Sequence, residues 1–352
     1  MSKRIILLPH EIGVNKYLHE LGRAYEKNDA RVVSGRENLL YFDCRPDIIH
    51  IHWPEKIYSN ESLEHNTELE RVEFALERLR YFKNNGAKCV LTMHNLVPHE
   101  GGEIEAARKI CQGCYDQADL VLHHCEKSVE LVNKYYVGAN KKKSIIHPHG
   151  HYLAYPSDMT RQEARNSLGL HDSDFVFLHF GIIRGYKGLQ IVLNSFFSAN
   201  VQNRKLVVAG WAMHWHQLTT NVFQRVRKKI WEKRGRLIWC LKKIQDDEVQ
   251  RFLKACDVVV LGHTAGLNSG VAILGMTFGR VVVGPDLGCI GEVLRSGQNV
   301  VYDPASPTGL VRAMEKASLM DLCTAGETNR AVAAGWSWDE MAKGILREVE
   351  NS

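Results

Sequence analysis

The chain has 352 residues, 45% of them hydrophobic and 24% charged, with a formal net charge of +5. That length predicts two domains of ordinary size, each able to bury its own core, and the composition excludes a disordered or low-complexity chain. No apolar run approaches the roughly 18–20 residues of a membrane-spanning helix. Nine cysteines at irregular spacing make no secreted disulfide framework, so a reducing cytoplasm is the expected location.

In chain order, the apolar run 5–9 is too short for a leader sequence and reads as a first core strand. Further strands are predicted at 47–52, 88–94, 119–124 and 144–148, with helical stretches near 14–27, 66–84, 103–116 and 126–136. The scheme then repeats, with strands at 174–181, 205–210, 236–241, 257–262, 280–285 and 299–303. Continuous apolar strands alternating with helices imply parallel sheets covered on both faces. The expected architecture is α/β, two Rossmann-like, doubly wound domains facing a central cleft. The first covers 1–152 and the second 160–335, and a closing helix within 336–352 is a candidate to cross back to the first domain. Each sheet would then hold one reactant, outside the carboxyl ends of its strands.

Charge is unevenly placed. Residues 1–155 balance 21 basic against 21 acidic side chains, so the whole excess lies in the second half. Most of it comes from 225–243, where nine basic residues face only Glu232 and are interleaved with Trp231 and Trp239. Phe223, Val226 and Ile230 fall at helical spacing. Two uses fit, a solvated basic face or peripheral contact with the inner face of the plasma membrane. Nucleic-acid binding would leave the motifs below without a purpose.

The sharpest motif is FGIIRGYKGLQ, 180–190. A strand ends at Gly181, and a turn carrying Arg184 and Lys187 leads into a helix. Gly181 allows close backbone approach. The helix start offers unpaired N–H groups and a positive dipole end, and two cations beside it suit a diphosphate. A second strand–turn–helix unit, HTAGLNSGVAILGMTFGRVVVGP (263–285), contains no acidic residue at all. His263, Asn268, Ser269 and Gly270 sit where its helix begins. Asn and Ser are also favoured helix caps, so capping and anion binding can share this loop.

Gly181 to Gly188, followed by KLVVAG (205–210), DDEVQRFLKACDVVVLG (246–262) and the 263–285 stretch, resembles the donor domain of GT-B glycosyltransferases. The resemblance is to the group 1 enzymes typified by family 4, including bacterial exopolysaccharide glucosyl- and mannosyltransferases. It implies that Arg184 and Lys187 bind the diphosphate of a nucleotide sugar, and that the chain near Ile244 lies beside the base. It places Glu292 near the sugar. The family's two glutamates, separated by seven intervening residues, fall here on Gly266 and Leu274, so the sugar and ribose contacts they make cannot be carried over. Nor can the stereochemical outcome.

On the acceptor side, HNLVPHE gives His94, His99 and Glu100 just after a strand, and HIHWPE gives His52, Trp53 and Glu55. Histidine titrates near neutrality, so His94, or His99 oriented by Glu100, is a candidate general base. A Trp suits stacking on a sugar ring. Cys111 and Cys114, with the histidines and cysteine at 123–125, have zinc-like residue types, but both fall inside a helical stretch and no metal is expected. No G-x-G-x-x-G follows the first strand, which disfavours a dinucleotide enzyme. The expected function is transfer of a hexose from UDP-glucose, or next from GDP-mannose, to a saccharide or lipid-linked acceptor, with no further cofactor. The competing reading is a GT-B-like binder of nucleotide sugar that has lost catalysis.

Overall fold

The computed structural model describes residues 3–58, 67–96, 104–212, 232 and 235–351. The chain divides into two compact units, Met1–Gly150 with Ser337–Ser352, and His151–Trp336. Each is built on one six-stranded sheet whose described strand pairs are all parallel.

In the first unit the strands are β1 (Arg4–Leu8), β2 (Ala30–Ser34), β3 (Ile48–Ile51), β4 (Lys88–Thr92), β5 (Leu120–His123) and β6 (Ser144–Ile146). Their order is β2-β1-β3-β4-β5-β6. The helices are α1 (Lys16–Lys27), α2 (Arg36–Leu40), α3 (Glu68–Asn84), α4 (Ile104–Gln117) and α5 (Glu126–Tyr135). Strand β2 and helix α2 are absent from the sequence-based expectation. The reason is that β2 is an edge strand with one buried residue in five, so it lacks the apolar run that marks its neighbours.

The second unit carries α6 (Arg161–Ser167), β7 (Phe175–Phe180), α7 (Leu189–Ser198), β8 (Arg204–Ala209), β9 (Leu237–Cys240) and α8 (Val249–Ala255). It continues through β10 (Val258–Val260), α9 (Gly270–Thr277), β11 (Val281–Pro285), α10 (Gly288–Arg295), β12 (Val300–Tyr302), α11 (Gly309–Ser318) and α12 (Leu322–Ala334). The order β12-β11-β10-β7-β8-β9 is that of a doubly wound dinucleotide-type sheet. Alternate residues explain the continuous apolar strands. Phe177, Leu206, Val208, Val258 and Val260 join the core on one face, while Val176, Leu178, Val207, Ala209 and Val259 join the core on the other.

The last helix, α13 (Trp338–Glu350), belongs to the first unit. Trp338, Met341, Ile345 and Val349 are buried in a cluster with Tyr17, Leu18, Leu21 and Tyr25 of α1 and with Ile6 and Leu8 of β1. Gly150 lies against the Trp338 indole, where a Cβ would collide. In the second unit, each guanidinium nitrogen of fully buried Arg165 donates to an acceptor. Its Nε donates to Ala255 O (3.2 Å), its Nη1 to His171 O (2.7 Å), Asp172 O (3.2 Å) and Asp174 O (3.1 Å), and its Nη2 to Asp257 Oδ2 (2.8 Å). A buried guanidinium is tolerated on those terms.

Residues 225–231, 233 and 234 of the basic tract lie outside the described residues, so Val226, Ile230 and Trp231, and Phe223 just before the tract, are not placed. Trp239 does not extend a helical face. It sits in β9, half-buried against the sheet core.

Candidate active site

Strand order reverses at β1/β3 in the first sheet and at β7/β10 in the second, and ligands of open α/β sheets bind at such points. Both groups of sequence candidates with described positions begin there.

In the second unit, β7 ends at Gly181 (φ +96°). A methyl group on Gly181 would lie 3.4 Å from both Lys187 Nζ and Val271 Cγ2, so the ammonium, the strand end and the first turn of α9 meet around it. Two backbone contacts weld the loops. Gly188 (φ +62°) packs on the carbonyl of Gly262 so closely that no Cβ fits. Tyr186 O accepts from Thr264 N (2.8 Å) and Thr264 Oγ1 (3.2 Å). Among the described residues Lys187 has no ion-pair or hydrogen-bond partner on its side chain. Burial, and then the neighbouring Arg184, pull its pKa from 10.5 to about 8.

Helix α9 opens without help from its cap. Ser269 makes no capping bond, its buried Oγ has no partner among the described residues, and the first turn holds no acid. The first-turn amides of Gly270 and Val271 have no hydrogen-bond acceptor among the described residues, as at any uncapped helix start. His263 is buried beside Tyr186, with ring centroids 6.0 Å apart. Asn268 is half-buried in the same loop. Of the two positions that carry glutamate in the family, Gly266 is a turn residue with φ +121°, and Leu274 is buried in the sheet core. Ile244 follows β9 and packs half-buried on the same core. Glu292 stands half-buried in α10, whose start is bonded back to the loop through Cys289 N to Leu267 O (2.8 Å).

His179 is a site residue that sequence reasoning missed. It is buried in β7, with Nδ1 3.3 Å from Val260 O and Nε2 without a partner among the described residues. Burial and the charge of Lys187 hold its pKa near 4. The signal was one polar residue in the apolar run FVFLHFG, two residues before the glycine.

In the first unit, the face covered by α1 and α13 turns from apolar to imidazole toward the strand ends. Period-two positions give Ile6, Leu8 and His10; Ile48, His50 and His52; Val90, Thr92 and His94; Leu120, Leu122 and His124. His10 Nε2 accepts from His52 N (3.1 Å) and lies 3.5 Å from Trp53 N, which puts its proton on Nδ1. His52 Nδ1 bonds His94 Nε2 (3.0 Å), and His50 bridges Tyr25 OH (2.8 Å) and Thr92 Oγ1 (2.7 Å). Trp53 stacks on His94 at 4.5 Å and 16°, and Tyr17 OH reaches His124 Nε2 at 3.2 Å. Burial lowers every one of these imidazoles, His10, His50 and His124 to about 3, and His52 and His94 well below 6.5. The layer is neutral at physiological pH.

Beside it, His52, Trp53, Glu55, Thr92, Asn95 and Tyr136 line a small pocket of about 280 Å³ including its mouth. Burial raises the Glu55 carboxyl above its usual range, and His52 Nε2 has no partner among the described residues. His99 and Glu100 lie outside the described residues. Cys111 and Cys114 are buried in α4, with the Cys111 thiol pushed up to about 12 by burial, and no metal-binding group of three side chains is present among the described residues.

Two six-stranded parallel sheets with flanking helices, and phosphate-type loops at a switch point, define a GT-B glycosyltransferase. The chain belongs to the glycosyl transferases group 1 family, whose model matches residues 160–349. It is 25% identical over 278 residues to a GDP-mannose:glycolipid 4-beta-D-mannosyltransferase of Xanthomonas campestris pv. campestris, covering 77% of this chain and 70% of that one. Among solved structures it superposes on sucrose-phosphate synthase from Thermosynechococcus elongatus with a TM-score of 0.75, at 14% identity over 99% of both chains. Anabaena HepE in complex with UDP-glucose gives 0.70, at 15% identity over 98% of this chain and 100% of that one.

Proposed function

We propose that the protein transfers a mannosyl unit from GDP-mannose to a glycolipid acceptor in exopolysaccharide assembly. The observation that carries the donor side is the half-buried Lys187 ammonium beside Arg184, without a partner among the described residues and adjoining both Gly181 and the uncapped first turn of α9. A diphosphate supplies the missing charge and the missing acceptors together. As the bond from sugar C1 to phosphate breaks, charge grows on the leaving diphosphate, and these groups stabilise it without a metal. The family's two carboxylates are replaced by Gly266 and Leu274, so His263, Asn268 and Glu292 are the groups we assign to the sugar. The choice of GDP-mannose over UDP-glucose rests on the glycolipid mannosyltransferase relatives, since the UDP-glucose complex is similar in fold alone.

On the acceptor side, an imidazole held well below 6.5 is a weak proton acceptor, so His94 orients Trp53 rather than titrating. Glu55, whose basicity burial increases, is the base we assign to the acceptor hydroxyl. Its proton passes to the carboxylate as the hydroxyl oxygen bonds C1. Thermal-shift titration with GDP, UDP and their sugars, followed by transfer from GDP-mannose, tests the reading. Stabilisation by UDP-glucose alone overturns the donor assignment, and a response to none overturns the site.

A further inference from the structure

A second cation cluster lies at the opposite, amino-terminal edge of the second unit's sheet. Arg280 leads into β11, Lys254 closes α8, Arg330 stands on α12 and Arg161 opens α6. The contrast with Arg165 is the informative one. Every donor group of that buried guanidinium has an acceptor, whereas half-buried Arg280 makes no side-chain hydrogen bond or ion pair among the described residues, and its Nε is fully buried without a partner. The nearby acids are already committed. Asp257 gives Oδ1 to Arg161 (2.5 Å) and Oδ2 to both Arg165 (2.8 Å) and Val176 N (2.7 Å), and Asp158 bonds Gln250. Asp158 attracts Lys254 at longer range, but neither Lys254 nor Arg330 makes an ion pair or side-chain hydrogen bond among the described residues.

Stacking cations in this way costs free energy unless an anion joins them. Burial and the charges of Arg280 and Arg330 lower the pKa of Lys254, and burial lowers that of Arg280. The carboxyl ends of α8 and α9 lie close by in sequence to Lys254 and Arg280, and their dipoles offset part of the charge. A dipole end supplies no acceptor to the N–H groups of Arg280.

We propose that Arg280, Lys254 and Arg330, with Arg161 at the rim, form an anion site for a single phosphate group, separate from the nucleotide-sugar site. Two guanidinium forks and an ammonium match a phosphate dianion in charge and donor geometry. The phosphate is either free or the headgroup of an anionic lipid, and the sources are separable by experiment.

Thermal unfolding of the full chain is followed against inorganic phosphate at constant ionic strength, in the wild type and in Lys187→Ala, which silences the donor site. Phosphate is expected to stabilise both. Arg280→Gln removes an unpaired buried charge, so it raises Tm in phosphate-free buffer and abolishes the response. Arg330→Gln, at an exposed position, leaves basal Tm unchanged and weakens the phosphate response about tenfold or more. In parallel, the chain is sedimented with phosphatidylcholine vesicles with and without phosphatidate. Phosphatidate-dependent binding lost in Arg330→Gln, with no response to inorganic phosphate, assigns the lipid source. No response in either arm, or a response that persists in Arg280→Gln, overturns the site.

Discussion

Lys187 gives the sharpest test of the donor site. In the unfolded chain its ammonium titrates near 10.5, and in the folded protein burial and Arg184 bring it to about 8. Below pH 8 both states carry the proton, so the folded state bears the full cost of confining the charge. At roughly 1.4 kcal/mol per unit, that cost is about 3 kcal/mol, and it is relieved as pH rises from 8 toward 10.5. Lys187→Met should therefore raise the Tm of the ligand-free protein at pH 7 while weakening GDP binding by about 30-fold, from the loss of one charge-assisted hydrogen bond of about 2 kcal/mol. A bound diphosphate restores the lysine's preference for its proton. At pH 9 about nine-tenths of the free protein has the neutral amine, so binding should take up nearly one proton; at pH 7 it takes up about a tenth of one. Titration calorimetry with GDP in two buffers of different ionisation enthalpy reads this directly. Equal proton uptake at the two pH values, or uptake that survives in Lys187→Met, would refute the placement of the diphosphate on this residue.

Glu55→Gln should lower kcat by a factor of about 10² to 10⁴ with little change in GDP affinity, and wild-type turnover would remove its role as base. Gly188→Ala, at φ +62° and against the Gly262 carbonyl, should cost several kcal/mol and lower Tm, whereas Gly185→Ala, with nothing within 4 Å, should be near neutral. Equal Tm values for the two variants would contradict the backbone packing described. The imidazole layer predicts acid lability. His10, His50 and His124, at about 3, and buried His149, whose ring lies 5.5 Å from that of His124 and which stands at about 4, refuse protons that the unfolded chain binds near 6.5. Stability is full above about pH 7 and is lost as pH falls through 6.5, by about 5 kcal/mol for these four at pH 5.5. A Tm unchanged between pH 7.5 and 5.5 would exclude a neutral, buried layer.

Much of the fold was legible because its strands are apolar on both faces. Runs such as DVVVLG and RVVVGP declare themselves without partners, whereas β2, wet along most of its length, does not. Gly181, Arg184 and Lys187 could be read together because one turn carries all three. The helix start at Ser269 to Gly270 was legible for the same local reason.

What the sequence could not decide was proximity between distant segments. That β7 and β10 meet at the switch point, so that Lys187 stands over the first turn of α9, depends on strand order, and local periodicity carries no strand order. The same holds for the imidazole layer. Each strand's period-two pattern puts one histidine at its end, but only the pairing of β1, β3, β4 and β5 gathers four of them, and only the cover of α1 and α13 dries them. Titration behaviour followed from that burial rather than from residue type. Seen in isolation, His94 reads as a base near neutral pH and Glu55 as a surface acid; desolvation in the folded unit shifts each the other way. Residue identity and local spacing determined which chemistry was available, and the tertiary structure decided which groups are charged, because charge depends on water and neighbours that only folding arranges.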